Sequence, residues 1–415
     1  MKQPLSFVLI CAAAVGLSCR QPDNAETAAP AESTFSMSVE PLNMPAADDS
    51  GQPQLTASNR GVILSWLEPA GAAATLKFAE LSSGTWSRPA TVSSSDNWFV
   101  TDADVPTVMR MSSGTLVATT YPSVDPEVEA YDVLLSYSRD DGKTWSRPVS
   151  PHHDRTKTQH GFASMFEMPD RSLGMIWLDG RDQALKKTDA GGGAMSVYFA
   201  SFDPNWKQTA ELQVDARVCE CCPTAVAMTT DGPLAAFRDR SSEEIRDIHV
   251  ARVEQGKWTP ATVVHADNWR IEACPVNGPA LSARDRSVVV AWFTATGDVG
   301  HAYAAFSQDA GRTWGNPIRL DDNTSLGRVD VELLNDGSAV ATWIEFANER
   351  AQLSARQVTP SGVRSKPTVI AGAGERRVRG YPRLARAGQD LIFAWTESGD
   401  GPGPQQVKAA VGKMK

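Results

Sequence analysis

An all-β fold, a ring of repeated four-stranded sheets, is predicted by three observations in this 415-residue chain. First, a short apolar strand, a turn holding Gly or Asp, and a second apolar strand recur in that order. The repeats open at Pro53, Pro106, Ala163, Pro223, Pro279, Asp330 and Pro382. Second, the second strand of each unit closes on an aromatic residue: Trp66, Trp177, Phe237, Trp292, Trp343 and Trp395, with Tyr121 in the unit that lacks Trp. Third, the octapeptides Ser138–Trp145 and Ser307–Trp314 both read S-x-D-x-G-x-T-W and both follow a run of alternating apolar residues. Period-two alternation with no competing helical period, at this unit length, is the pattern of a β-propeller. Seven starts predict seven blades, with six as the alternative.

The ends complete the ring. Lys2 followed by the apolar run Leu5–Leu17 reads as an export signal over 1–18, too short for a stable membrane span. It ends in Val15-Gly16-Leu17-Ser18-Cys19, which resembles a bacterial lipobox with Cys19 as the lipidated residue; an ordinary secretory signal is the alternative. Residues 19–34, rich in Ala, Pro, Glu and Gln, read as a flexible tether. The propeller spans 35–415. Its last unit has room for only three strands before Lys415, and Phe35–Val39 alternates like a strand, so it is expected to supply the fourth and remove an open sheet edge.

Composition bounds the partners. The net charge of −9 argues against nucleic acid or anionic lipid, leaving membrane contact to the lipid anchor alone. A monomer without a cofactor is expected. Of six cysteines, Cys11 leaves with the signal and Cys19 is lipidated. Cys219, Cys221, Cys222 and Cys274 remain for an oxidising compartment, where disulfides are the default.

In the octapeptides each residue type has a task within one tight turn. Asp accepts hydrogen bonds from its own turn, Gly takes positive φ, and Trp packs between neighbouring sheets. Both resemble the Asp-box (BNR) repeat of bacterial sialidases and related β-propellers. Such an Asp is structural, which sets Asp140 and Asp309 aside from catalysis.

Propeller topology puts the second-to-third and fourth-to-first strand connections on one face, the mouth. There the sequence gathers Trp98, Asp102, Asp104, His160, the four cysteines, Trp269, Arg328, Arg379 and Tyr381. Asp179 and Arg181 follow one second strand, and Arg238 another. The set reads as a polar site round the axis, or as Arg–Asp pairs tying blades together. Resemblance to the sialidases implies three arginines for a substrate carboxylate, a Tyr–Glu pair as nucleophile, and an Asp as acid/base. Tyr381 opens the last blade as the family's tyrosine does. Arg238, Arg328 and Arg379 match its arginines, with Asp102 or Asp104 as the acid/base. Two departures stand against hydrolysis. The family's R-I-P motif is absent, and where the activating Glu should fall there is only Glu220, beside Cys221-Cys222.

For the cysteines, disulfides bracing adjacent blades are expected, including a vicinal Cys221–Cys222 bond. The alternative is a thiolate metal site completed by His160 or His152-His153. Trp98 and Trp269 suit stacking on sugars, or buried anchoring. The chain is thus expected to bind or hydrolyse a glycan or another small anionic ligand; a non-catalytic glycan- or protein-binding platform is the alternative.

Overall fold

A computed structural model describes residues 33–185, 193–347, 349–372, 377–399 and 403–415. The predicted signal, Cys19 and most of the tether lie outside these residues. Among the described residues no helix is long and apolar enough to cross a membrane.

Seven antiparallel blade sheets follow one another along the chain, with a further two-stranded ribbon, Ser123–Asp125 and Ala130–Tyr131, between the second and third strands of blade 2. Blade 1 begins at Gly51–Ser58, blade 2 at Val108–Arg110, blade 3 at His160–Glu167 and blade 4 at Ala225–Thr229. Blades 5, 6 and 7 begin at Ala280–Arg284, Thr324–Leu333 and Arg377–Ala387. Each first strand lies at one edge of its sheet, and the later strands pair outward in sequence order. Blade 7 is completed as expected: Met37–Leu42 pairs antiparallel with Gln406–Met414, from Met37 opposite Met414 to Leu42 opposite Ala409. A shared last blade joins both ends of the domain and leaves no open edge between them.

The core explains why the ring holds. Buried apolar residues fall into seven clusters, and each spans the interface between two adjacent blades; the one containing Leu55, Leu64 and Trp66 with Ile392 and Ala394 joins blade 1 to blade 7. Trp66, Trp177, Trp292 and Trp343 are fully buried, as the second-strand pattern requires. Truncating such a Trp to Ala costs about 3–5 kcal/mol.

The two octapeptides form the same turn on the face opposite the mouth. Asp140 accepts from the Thr144 N–H (2.9 Å) and hydroxyl (2.7 Å), and Asp309 from Thr313 in the same way (2.9 and 2.7 Å). Gly142 (φ 83°) and Gly311 (φ 79°) sit where L-residues are strained, and a Cβ would meet Phe78 at 2.6 Å or Leu234 at 2.8 Å in the preceding blade. Trp145 lies edge-on to Phe78, with centroids 6.1 Å apart.

Candidate functional site: the mouth and axis of the ring

First strands of the blades line a cavity of about 220 Å³ on the axis. Its polar wall holds Gln54, Thr107, Ser164, Thr224, Asp330, Glu332, Tyr381 and Arg383. Burial, then the neighbouring Asp330, pushes Glu332 up to about 8. Burial also raises Asp330 and lowers Arg383, each partly offset by the attraction between them.

Tyr381 belongs to this wall. Its ring lies beneath the Arg328 guanidinium (4.5 Å) and beside that of Arg383 (5.4 Å). Its hydroxyl donates to the Val276 carbonyl at 2.5 Å, and burial raises its pKa. The phenol therefore pairs with a backbone acceptor rather than with a carboxylate base.

The three predicted arginines occupy different environments. Arg238 is 1% exposed and donates to the carbonyls of Asn277 (2.8 Å), Arg246 (2.5 Å) and Phe293 (2.7 Å), tying blades 4 and 5 together. Its guanidinium also caps the Trp269 ring at 4.9 Å. Trp269 is itself buried, against Phe293, so of its two sequence readings the anchoring one holds. Arg328 is half-buried and adopts φ +55°, pinned by its N–H to Asn277 Oδ1 at 2.8 Å; its Nη1 has no protein partner. Arg379 is half-exposed and faces Asp102 at 3.4 Å.

Asp102 also accepts from Gln52 at 3.1 Å, and a Cβ on Gly380 (φ +64°) would crowd its backbone carbonyl at 3.1 Å. The loop before blade 2 is thereby held against the segment leading to Tyr381. Asp104 is buried and accepts from the Tyr131 hydroxyl at 2.8 Å; burial raises it to about 6. Trp98 is partly exposed, bridges to Pro122, and lines a separate hollow of about 340 Å³ with Gln52, Glu68 and Gln405.

The cysteines brace blades 4 and 5. Cys221 is joined to Cys274, with Cα atoms 6.1 Å apart across 53 residues. This corrects the expected vicinal bond: Cys222 is instead a buried thiol whose Sγ lies 2.7 Å from that of Cys219. Contact with Cys222 and the charges of Arg238 and Arg246 lower the Cys219 pKa against the effect of burial. Nor do histidines complete this cluster. Among the described residues, Cys219, Cys221 and Cys274 converge on one another, while His152 and His160 converge on Asp132 elsewhere in the mouth.

That second group lies between blades 2 and 3. Asp179 is fully buried, accepts from the Trp177 indole at 2.8 Å, and takes a two-pronged grip from Arg181 (2.8 and 2.7 Å). Arg181 also reaches Glu211 at 2.8 Å and stacks on Tyr198 at 3.9 Å. Both residues face inward, against the expectation that they meet a ligand. Burial opposes a charge on His160, yet Asp132, Asp154 and Asp179 outweigh it and raise its pKa to about 9.

Sequence reading passed over Asp132, Asp154, Asn277 and Arg383. No local pattern marks those four, although an acid two residues after a second-strand Trp, on the same face of the strand, does mark other residues. Trp66–Glu68 (2.7 Å), Trp177–Asp179 (2.8 Å) and Trp395–Glu397 (2.9 Å) all use that spacing to satisfy a buried indole.

No protein-family model matches the chain, and no curated protein matches its sequence. In three dimensions it is similar to polysaccharide lyase Uly1 (TM-score 0.51, 10% identity, 88% of this chain and 89% of that one). It is also similar to a mutant of NanB sialidase from Streptococcus pneumoniae (TM-score 0.47, 10% identity, 92% and 95%). At these identities the likeness is one of overall fold alone.

Proposed function

We propose that this chain binds an acidic glycan at the propeller mouth, with Arg328 as the group that receives the sugar carboxylate. One observation carries the reading: a guanidinium in the mouth whose Nη1 has no protein acceptor, held over Tyr381 by a strained backbone. A buried donor without a partner costs about 1–3 kcal/mol, and a carboxylate offers the matched planar acceptor. Arg379, half-exposed beside Asp102, is a second cation. The two octapeptide turns are read as Asp-box repeats, and the domain as exported and lipid-anchored through Cys19. Likeness in fold to a protein described as a polysaccharide lyase supports a carbohydrate ligand at the level of architecture.

A second reading, glycoside hydrolysis with Tyr381 as nucleophile and Asp102 or Asp104 as acid/base, is favoured by the placement of Asp102 against Gly380. Binding is preferred because burial raises the Tyr381 phenol and its hydroxyl is engaged by Val276. The deciding experiment measures hydrolysis of fluorogenic sialosides and uronides alongside affinity for the free acidic sugars, in the purified protein and in Tyr381→Phe. Binding is expected in both, within a few-fold, with no turnover in either. Turnover that Tyr381→Phe abolishes would make the chain a glycosidase.

A further inference from the structure

We infer that Asp132, His152 and His160 form a divalent metal site on the rim between blades 2 and 3, suited to a borderline ion such as Zn²⁺. The site is independent of the proposed glycan pocket. Asp132 leads into the third strand of blade 2, His152 lies in the connection to blade 3, and His160 opens that blade.

Three observations converge. His152 Nε2 and His160 Nδ1 are buried and have no hydrogen-bond partner, although each lies close to the same oxygen, Asp132 Oδ1, at 3.5 and 3.3 Å. For bonds of about 2.0–2.1 Å, a tetrahedral ion holds its ligands roughly 3.3–3.4 Å apart, close to the 3.5 and 3.3 Å that separate Asp132 Oδ1 from the two ring nitrogens. The opposite ring nitrogens are both held by one carboxylate: His152 Nδ1 meets Asp154 Oδ1 at 3.0 Å, and His160 Nε2 meets Asp154 Oδ2 at 3.3 Å. A carboxylate behind each imidazole fixes its tautomer and leaves the remaining lone pair, on the Asp132 side, free for a metal.

Charge points the same way. Asp132, Asp154, Asp179 and Glu211 surround the pair, with Arg181 as the buried cation among them and His153 on Glu211 at the surface. With neutral imidazoles this pocket carries an excess of negative charge that one divalent ion offsets. The Asp132 side chain is 26% exposed, against 4% for His152 and none for His160, so solvent reaches the site from the Asp132 side and can fill a fourth position. The two rings are parallel, with centroids 3.9 Å apart. Closing both on one ion requires them to pivot apart about Asp154.

The test is titration of the metal-stripped whole protein with Co²⁺ and with Zn²⁺ alone, read by visible absorption and by metal analysis after gel filtration. One ion per chain is expected, with the d–d bands of nitrogen and oxygen ligation and no sulfur-to-metal charge transfer. Cys219→Ser with Cys222→Ser should leave the spectrum unchanged. Asp132→Asn, partly exposed and expected to fold normally, should lose at least tenfold in affinity, and Asp154→Asn about 10–100-fold. Failure to retain one ion, a sulfur signature, or unchanged affinity in Asp132→Asn would overturn the assignment.

Discussion

The two faces of this ring handle the same residue types in opposite ways. On the turn face, Asp140 and Asp309 lie near solvent and are satisfied by atoms no more than four residues away, which together hold each carboxyl down at about 2. In the mouth and axis, Asp104 and Glu332 are buried, and desolvation lifts them to about 6 and about 8. Their partners are distant in sequence: Asp104 bonds Tyr131, and Glu332 bonds Ser282. A carboxylate closed within its own turn makes structure; one left short of partners in a cavity is available for chemistry.

The largest expected break in this contrast is Arg238→Met. It leaves three buried carbonyls without their donor, and a loss of about 3–5 kcal/mol is expected in urea unfolding. A loss below 1 kcal/mol would mean that Arg238 is not the strut between blades 4 and 5.

Next come the pH signs, which should run in opposite directions. The folded pKa of Asp104, about 6, exceeds the usual 3.8, so the native state keeps a proton that the unfolded chain has released. Stability is then lost as pH rises from about 4 to about 6, reaching on the order of 3 kcal/mol at neutral pH. Asp104→Asn should flatten that segment of the stability profile, and an unchanged slope would contradict the burial account. Asp309 is depressed to about 2, so its contribution is present above pH 3.8 and fades as pH falls toward 2.

The smallest expected effect is that of Asp309→Ala. Losing a local cap should cost about 1 kcal/mol in thermal or urea unfolding and leave ligand affinity unaltered. A drop in affinity would mean that the turn face takes part in binding.

The same contrast decides what could be read from the chain. Blade number, the closing strand before Leu42 and the octapeptide turns follow from short-range patterns, and the structure repeats them. Topology dictates where strand connections go, and that is how the mouth residues were assigned to one face. Their roles depend on pairings across the ring: Arg238 with Phe293, Asp102 with Arg379, Cys221 with Cys274. No local period encodes those pairings, and so Arg238 and Asp179 read as ligand groups although both are buried struts. The His152–Asp154–His160 arrangement was similarly hidden, because only the fold brings Asp132 to it.

The most direct measurement of the central claim is calorimetric titration of N-acetylneuraminic acid and glucuronic acid into wild-type protein and into Arg328→Met. Saturable binding of at least one acid to wild type is expected, weakened roughly 10- to 100-fold in the variant. Equal affinity in both proteins, or no binding of either acid to wild type, would contradict the assignment of the mouth to an acidic glycan.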